Sequence, residues 1–341
     1  MSRIFIHGLG AVSPAGWSVD SLRDALAKGE PLPVRNLSRP GSAHPLRVRN
    51  APSPCPRPPF LGHARLRRTS PISQFAVSAA LEALGDDALR VQEGSMSLGI
   101  VLCVMAGCVN YSRRFYGEAL HDPATASPLV FPETVFNAPA SHLAALLGST
   151  EINYTLVGDP GMFLVGLAVA AQWLRDRRVE GCLVVGAEEI DWLVADAARR
   201  FTRNSVLAEG AGAVYLRSGA EHRRSIQIEA ITDAHSFLQH FRREQAVRAM
   251  RAQLPPPGAH ELLCDSTQGL AKPDAVELNV WADWPGPRLS PKLVLGEGLA
   301  AGSGWQTVAA VDALRQGRCP AATVSVVGCN QQAVGARFIR G

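Results

Sequence analysis

The stretch Met162–Leu174, MFLVGLAVAAQWL, is apolar at every helical phase. A surface helix keeps one polar face, so a helix without one has to be enclosed on all sides. It is shorter than the roughly 18 to 20 apolar residues of a membrane span, so the enclosure is a protein interior. Asp159 and Pro160 supply its start signal, an N-cap acceptor followed by a proline tolerated in the first turn. The expected helix runs from Pro160 to Arg175.

Strands surround it in the pattern. Met96–Val104 is a nearly continuous apolar run that suits a strand buried on both faces, and Ile152–Val157 and Cys182–Val185 are shorter β-type runs. A strand at Ile4–His7 and helices at Val19–Lys28, Ser73–Leu84 and Ser141–Leu147 alternate with them, with a loop at Ser127–Ala140. A second series opens with the alternating run SIQIEAI at Ser225 and continues in a helix at Arg242–Ala252. It ends in Thr323–Val327 and Ala336–Ile339, a hairpin around Gly328–Gln332. Helices enclosed between sheets make this a multilayered α/β chain. Two halves of similar order are expected, 1–219 and 224–341, with 29–70, rich in Pro and Arg, as an exposed excursion.

Charge and cysteine usage narrow the function classes. The formal net charge is +4, and the basic residues, nearly all Arg, are spread along the chain rather than gathered in a run that would track phosphates. Nucleic acid is not an expected partner. Cys55, Cys103, Cys108, Cys182, Cys264, Cys319 and Cys329 include no CxxC pair, which reads as reduced and cytoplasmic. The N-terminus lacks a signal-peptide pattern, no segment is long and apolar enough to span a membrane, and the histidines show no metal-ligand spacing. Neither metal nor cofactor is expected.

Six motifs carry a family resemblance: GLGAVSPAG (8–16), SPLVFPETVFNAPASHLAALLG (127–148), VVGAEE (184–189), AEGAGAVYL (208–216), KLVLGEGLAAGSG (292–304) and VVGCNQQAVGARF (326–338). Together they resemble β-ketoacyl synthases, more strongly in the first half than in the second. The resemblance implies the thiolase fold, five α-β-α-β-α layers in two pseudo-duplicated halves, and a dimer formed through edge strands. It also implies a Cys nucleophile at the start of the buried helix. Two His donors would stabilise the enolate formed as carbon dioxide leaves.

Here those positions have changed. Counting back from GAEE places the nucleophile position on Pro160, which has no nucleophile. The first His motif is matched by Asp265-Ser266-Thr267, and the second, which follows Lys292, has Glu297 in the His place. An ionised carboxylate accepts hydrogen bonds and repels an enolate. The resemblance is therefore to the catalytically dead branch, the chain length factors of polyketide and aryl-polyene ketosynthases. What it implies is a subunit without activity alone, which pairs with an active ketosynthase, works with an acyl carrier protein, and shapes the partner's acyl tunnel.

The tunnel and interface residues it points to are Phe131, Thr134, Val135, Phe136, Met162 and Cys329, the last in the place of a gating Phe. Each has a plainer reading. Asp159-Pro160-Gly161 makes a good helix start, Phe131, Val135, Phe136 and Pro139 can staple the loop to the core, Cys329 suits a small buried thiol, and His142 suits a structural role. Two other functions stay open. One is a hydrolase or acyltransferase in which Asp265 and Glu297, sharing a pocket, keep one proton between them; the other is a carrier-docking scaffold.

Overall fold

The apolar helix is buried along most of its surface, at Phe163, Leu164, Leu167, Ala170 and Leu174, but the face of Met162, Val165 and Val169 is only half-buried and Gln172 is exposed, so the enclosure on all sides expected from its sequence is incomplete. The computed structural model describes residues 3–219, 225–238, 242–329 and 331–341; the expected junction between the halves falls at 220–224, outside the described residues. The first series of elements is β1 (Ile4–Val12), α1 (Val19–Lys28), β2 (Arg35–Leu37), β3 (Leu46–Arg49), α2 (Pro71–Leu84), α3 (Asp87–Gln92), β4 (Leu98–Val104) and α4 (Val109–His121). It continues with α5 (Ala138–Leu147), β5 (Asn153–Val157), α6 (Met162–Arg175), β6 (Gly181–Glu188), α7 (Trp192–Phe201), β7 (Leu207–Ala208) and β8 (Gly210–Ser218). The second series is β9 (Ile226–Ile231), β10 (His235–Ser236), α8 (Arg243–Ala252), β11 (Leu262–Cys264), α9 (Ala271–Val280), β12 (Arg288–Leu289), α10 (Pro291–Leu295), α11 (Leu299–Arg315), β13 (Ala321–Val327) and β14 (Gln332–Arg340).

The strand order has one pattern written twice. From β1 outward it runs β8, β6, β4, β5; from β9 outward it runs β14, β13, β11, β12. In each series the first two pairings are antiparallel and the next two parallel. The two sheets meet where β1 pairs with β9 through Phe5–Gln227 and Ile6–Ile226.

Alternation along the strands builds the layers. Val101 and Cys103 of β4, Cys182 and Val184 of β6, and Val214 and Leu216 of β8 face the central core that holds α6 and α11. Their neighbours Ile100, Leu102, Leu183, Val185, Ala213 and Tyr215 face a second core under α2 and α5. A third core sits under α8 and α9. The result is five layers, helix, sheet, helix, sheet, helix, as the resemblance implied.

The central layer is tight enough to touch backbone. A Cβ added to Gly212 of β8 would lie 2.5 Å from the carbonyl carbon of Gly304 on α11. Beside this contact Trp305 Nε1 donates to Val12 O at 2.9 Å and to Ala211 O at 3.0 Å.

The 29–70 segment departs from expectation. It supplies β2 and β3, and β3 pairs in parallel with β7. Leu46, Val48, Leu61 and Leu66 are buried, so the segment is not a uniformly exposed excursion. A short strand completed by a partner 159 residues away, Val48 with Leu207, leaves no local period to read.

Replacing Gly212 by Ala should cost about 3 kcal/mol or more, because backbone rather than a movable side chain fills the space. Urea unfolding of the variant checks this; a loss under about 1 kcal/mol would mean the layers can spread.

Candidate functional site

After β5 the chain turns through Gly158, Asp159 and Pro160, and α6 begins at Met162 rather than at Pro160. Asp159 is not the N-cap acceptor expected from the sequence. Its carboxylate turns away from the helix and accepts from Cys329 Sγ at 3.2 Å, Gln331 N at 3.3 Å and Gln332 N at 3.1 Å. Three donors from the β13–β14 connection outcompete one helix amide. The approach also demands a glycine, since a Cβ on Gly328 would fall 1.5 Å from Asp159 Oδ2. Pro160 is tied from the other side, its carbonyl accepting Ser303 Oγ of α11 at 2.6 Å. Both halves therefore close on the turn in which the resemblance places the nucleophile. The Met162 carbonyl accepts from Cys103 Sγ at 3.4 Å.

Glu297 and Lys292 form one unit. Glu297 Oε2 lies 2.7 Å from Lys292 Nζ, Oε1 accepts from Leu299 N at 2.8 Å, and both side chains are almost wholly buried. Burial alone would depress the Lys292 ammonium, but Glu297, aided by Glu277, outweighs it and holds the group above its ordinary value. Glu297 is fixed by backbone as well: Glu297 N donates to Val206 O and Ala208 N donates to Glu297 O.

Asp265, at the end of β11, has different partners. It accepts from Thr267 Oγ1 at 2.7 Å and Ser290 Oγ at 2.6 Å. The expected sharing of a proton between Asp265 and Glu297 is not what the geometry gives, because the bonds of each lead elsewhere. The carboxylate that feels Asp265 is Glu277 of α9. Burial first, then the charge of Asp265, push its carboxyl up to about 8, despite donation from Ser325 Oγ and Ser266 N. Sequence reasoning missed Glu277; within KPDAVELN it looks like any solvated helix acid.

Glu297 and Cys329 front a cavity of about 190 Å3 whose wall is otherwise largely apolar, from Met105, Leu299, Leu207 and the α7 residues Val194, Ala198 and Phe201. Burial, together with Asp159 and Glu297, raises the Cys329 thiol far above its ordinary range, which keeps it protonated. Pro160, Lys292 and Asp265 do not line this cavity. Among the described residues no cluster of His, Cys, Asp and Glu could hold a metal ion.

The loop residues do not line that cavity. Phe131 rests on Phe115 with ring centroids 5.3 Å apart, Thr134 O accepts from Ser112 Oγ, and Val135 O accepts from Cys108 Sγ. Phe136 covers Gly107, where an added Cβ would be 2.4 Å from its ring. Phe131, Val135 and Phe136 are nevertheless 55%, 39% and 44% exposed, so they are not core staples, whereas Pro139 is buried. His142 is held by Glu133 at 2.8 Å, a contact that pins the loop to α5.

The raised Glu277 carboxyl makes stability depend on pH. Its contribution is present in full below the ordinary carboxylate range near pH 4.5 and is lost as pH climbs to about 8, since the unfolded state then ionises more readily than the folded one. The chain should therefore lose stability between pH 6 and about 8, and Glu277→Gln should make that loss shallower without abolishing it, since burial raises the Glu188 carboxyl to about 8 as well. Urea midpoints across this range give the answer; a variant whose slope equals that of the native chain contradicts the assignment.

The family model for 3-oxoacyl-[acyl-carrier-protein] synthase III matches residues 161–234, the stretch from α6 through β8 into β9. No curated protein matches the chain. Solved structures match it from end to end. The ishigamide ketosynthase/chain length factor is 20% identical with a TM-score of 0.79, over 99% of this chain and all of that one. A β-ketoacyl synthase from Burkholderia phymatum STM815 is 16% identical, also at 0.79, with both chains covered in full. A type II polyketide synthase acyl-carrier protein complex with its ketosynthase, bound to a hexaketide, gives 13% identity and 0.79, over 100% of this chain and 99% of that one. The repeated sheet order, the enclosed helix pair and these matches agree: the chain has the thiolase fold of the ketosynthases and chain length factors.

Proposed function

We propose that the chain is the non-condensing partner of an active ketosynthase and shapes that partner's acyl tunnel in polyketide, aryl-polyene or fatty-acid-like synthesis. The observation that carries this reading is the turn before α6. A proline stands there, held by Ser303, where condensation needs a thiolate. The two donor positions support it. Glu297 is committed to Lys292 and Leu299 N, Asp265 accepts from Thr267 and Ser290, and neither position carries the imidazole donor that a developing enolate needs. The thiol in the cavity in front of Glu297 stays protonated, its Sγ donating to the Asp159 carboxylate.

A partner subunit is supported by the surface. β5 ends its sheet, and Tyr154 and Val157 on it are each 48% exposed. Tyr116 and Leu120 of α4, with Leu129 and Phe131 of the following loop, add exposed apolar area of the kind that marks interfaces. An acidic carrier protein suits Arg199, Arg200 and Arg203, at and beyond the end of α7, with Arg39 and Arg47 nearby. Of these five, only Arg39 has an ion pair among the described residues, with Asp196.

Co-expression with a ketosynthase of its own genome should give a one-to-one complex, and intact-mass analysis after exposure to an acyl-carrier thioester should find acyl groups on the partner only. Stoichiometric acylation of this chain, Cys329 included, would overturn the proposal.

Because Phe136 is half-exposed, Phe136→Ala should cost about 1 kcal/mol, well below the roughly 3–5 kcal/mol of a core aromatic. In the complex it should release longer products. A stable variant with an unchanged product distribution would show that chain length is set elsewhere.

A further inference from the structure

A concavity of about 430 Å3 opens on the outer helix layer of the second sheet, between the end of α8, the prolines Pro255, Pro256 and Pro257, and the end of α9. It shares no residue with the cavity at Glu297. Its size falls within the range of small-ligand sites.

The walls are set before any ligand arrives. Trp281 donates Nε1 to Ser325 Oγ at 3.2 Å, Trp284 donates Nε1 to Glu261 O at 3.2 Å, and the rings meet edge to face with centroids 5.4 Å apart. With both indole N–H groups satisfied from within, the exposed edge of Trp284, 8% of its surface, is apolar, and Trp281 lies buried behind it under Arg251. The Arg251 guanidinium lies 4.9 Å from the Trp281 ring centroid and is fixed by Asp283 and Val280 O. Three successive prolines make the opposite wall stiff. Little ordering is left for binding to cost.

Charge decides the kind of ligand. The charged residues lining the concavity are Arg248 and Arg251, both cations. Glu244 and Asp283 hold part of each guanidinium, but Nη1 of Arg248 and Nε of Arg251 carry no hydrogen bond among the described residues. The two carboxylates are 41% and 72% exposed, where solvent weakens their hold. A flat apolar body suits the Trp284 and proline walls, and one anionic group suits the paired arginines.

We propose that this concavity binds a small aryl carboxylate, its ring against Trp284 and the prolines and its carboxylate on Arg248 and Arg251. The probes are 1-naphthoate and its uncharged counterpart 1-naphthol, titrated into the full chain and followed by the indole N–H signals in NMR. Naphthoate should saturate, moving the Trp281 and Trp284 signals and leaving those of Trp17 and Trp192 in place. Arg248→Glu, at a side chain 58% exposed and remote from the core, should weaken naphthoate about tenfold or more and leave naphthol unaffected. Equal binding of the two probes overturns the proposal, as do shifts confined to other tryptophans, an affinity indifferent to Arg248→Glu, or no saturation by about 10 mM.

Discussion

Everything in this molecule is arranged around the contact of α11 with the first sheet. At Gly212 and Gly304 backbone meets backbone, and Trp305 spans from there to the carbonyls of Val12 and Ala211. That contact sets the distance between the central helices and the sheet. The distance in turn determines where the chain entering α11 must lie, and that chain includes Glu297, Gly298 and Leu299. α6 occupies the remaining space of the same layer, so the turn at Pro160 meets Ser303 of α11 and the β13–β14 connection at once.

Placing charges inside such a packed layer is costly unless each is matched. Moving one carboxylate and one ammonium out of water costs several kcal/mol apiece, and their attraction repays this only with good geometry and further hydrogen bonds. Lys292 and Glu297 meet the condition through a 2.7 Å contact and the Leu299 amide. Glu277 meets it differently, holding its proton up to about pH 8 beside Asp265. Lys292 thus balances Glu297, and Glu277, protonated below about pH 8, adds no second negative charge beside Asp265.

Several features were legible in the sequence because they depend on local patterns. The run Leu98–Val104 required two buried faces and has them, and the apolar phase of Met162–Leu174 pointed to burial that holds for all but the half-buried face of Val165 and Val169. The whole-chain fold is the one the motifs implied. Other features were not legible. Asp159 looked like a helix cap because the sequence did not reveal that Cys329, Gln331 and Gln332 would compete for its oxygens. β3 gave no signal because its partner is Leu207, and a strand of four residues has too few positions to show alternation.

By itself, then, the sequence determined the alternating α/β order, a largely buried central helix, and the absence of a thiol or imidazole at Pro160, Asp265 and Glu297, since each follows from residue type and near neighbours. Only the tertiary structure decided how the carboxylates are paired. Asp265 faces Glu277 rather than Glu297, and Glu297 faces Lys292, because the facing of α9, α10 and the loop before α11 is fixed by packing across layers. The same holds for the Trp281–Trp284 concavity, which three separated segments enclose. Side chains brought together by layers carry no mark of each other in the chain, and the energy of a buried charge depends on which neighbour it meets.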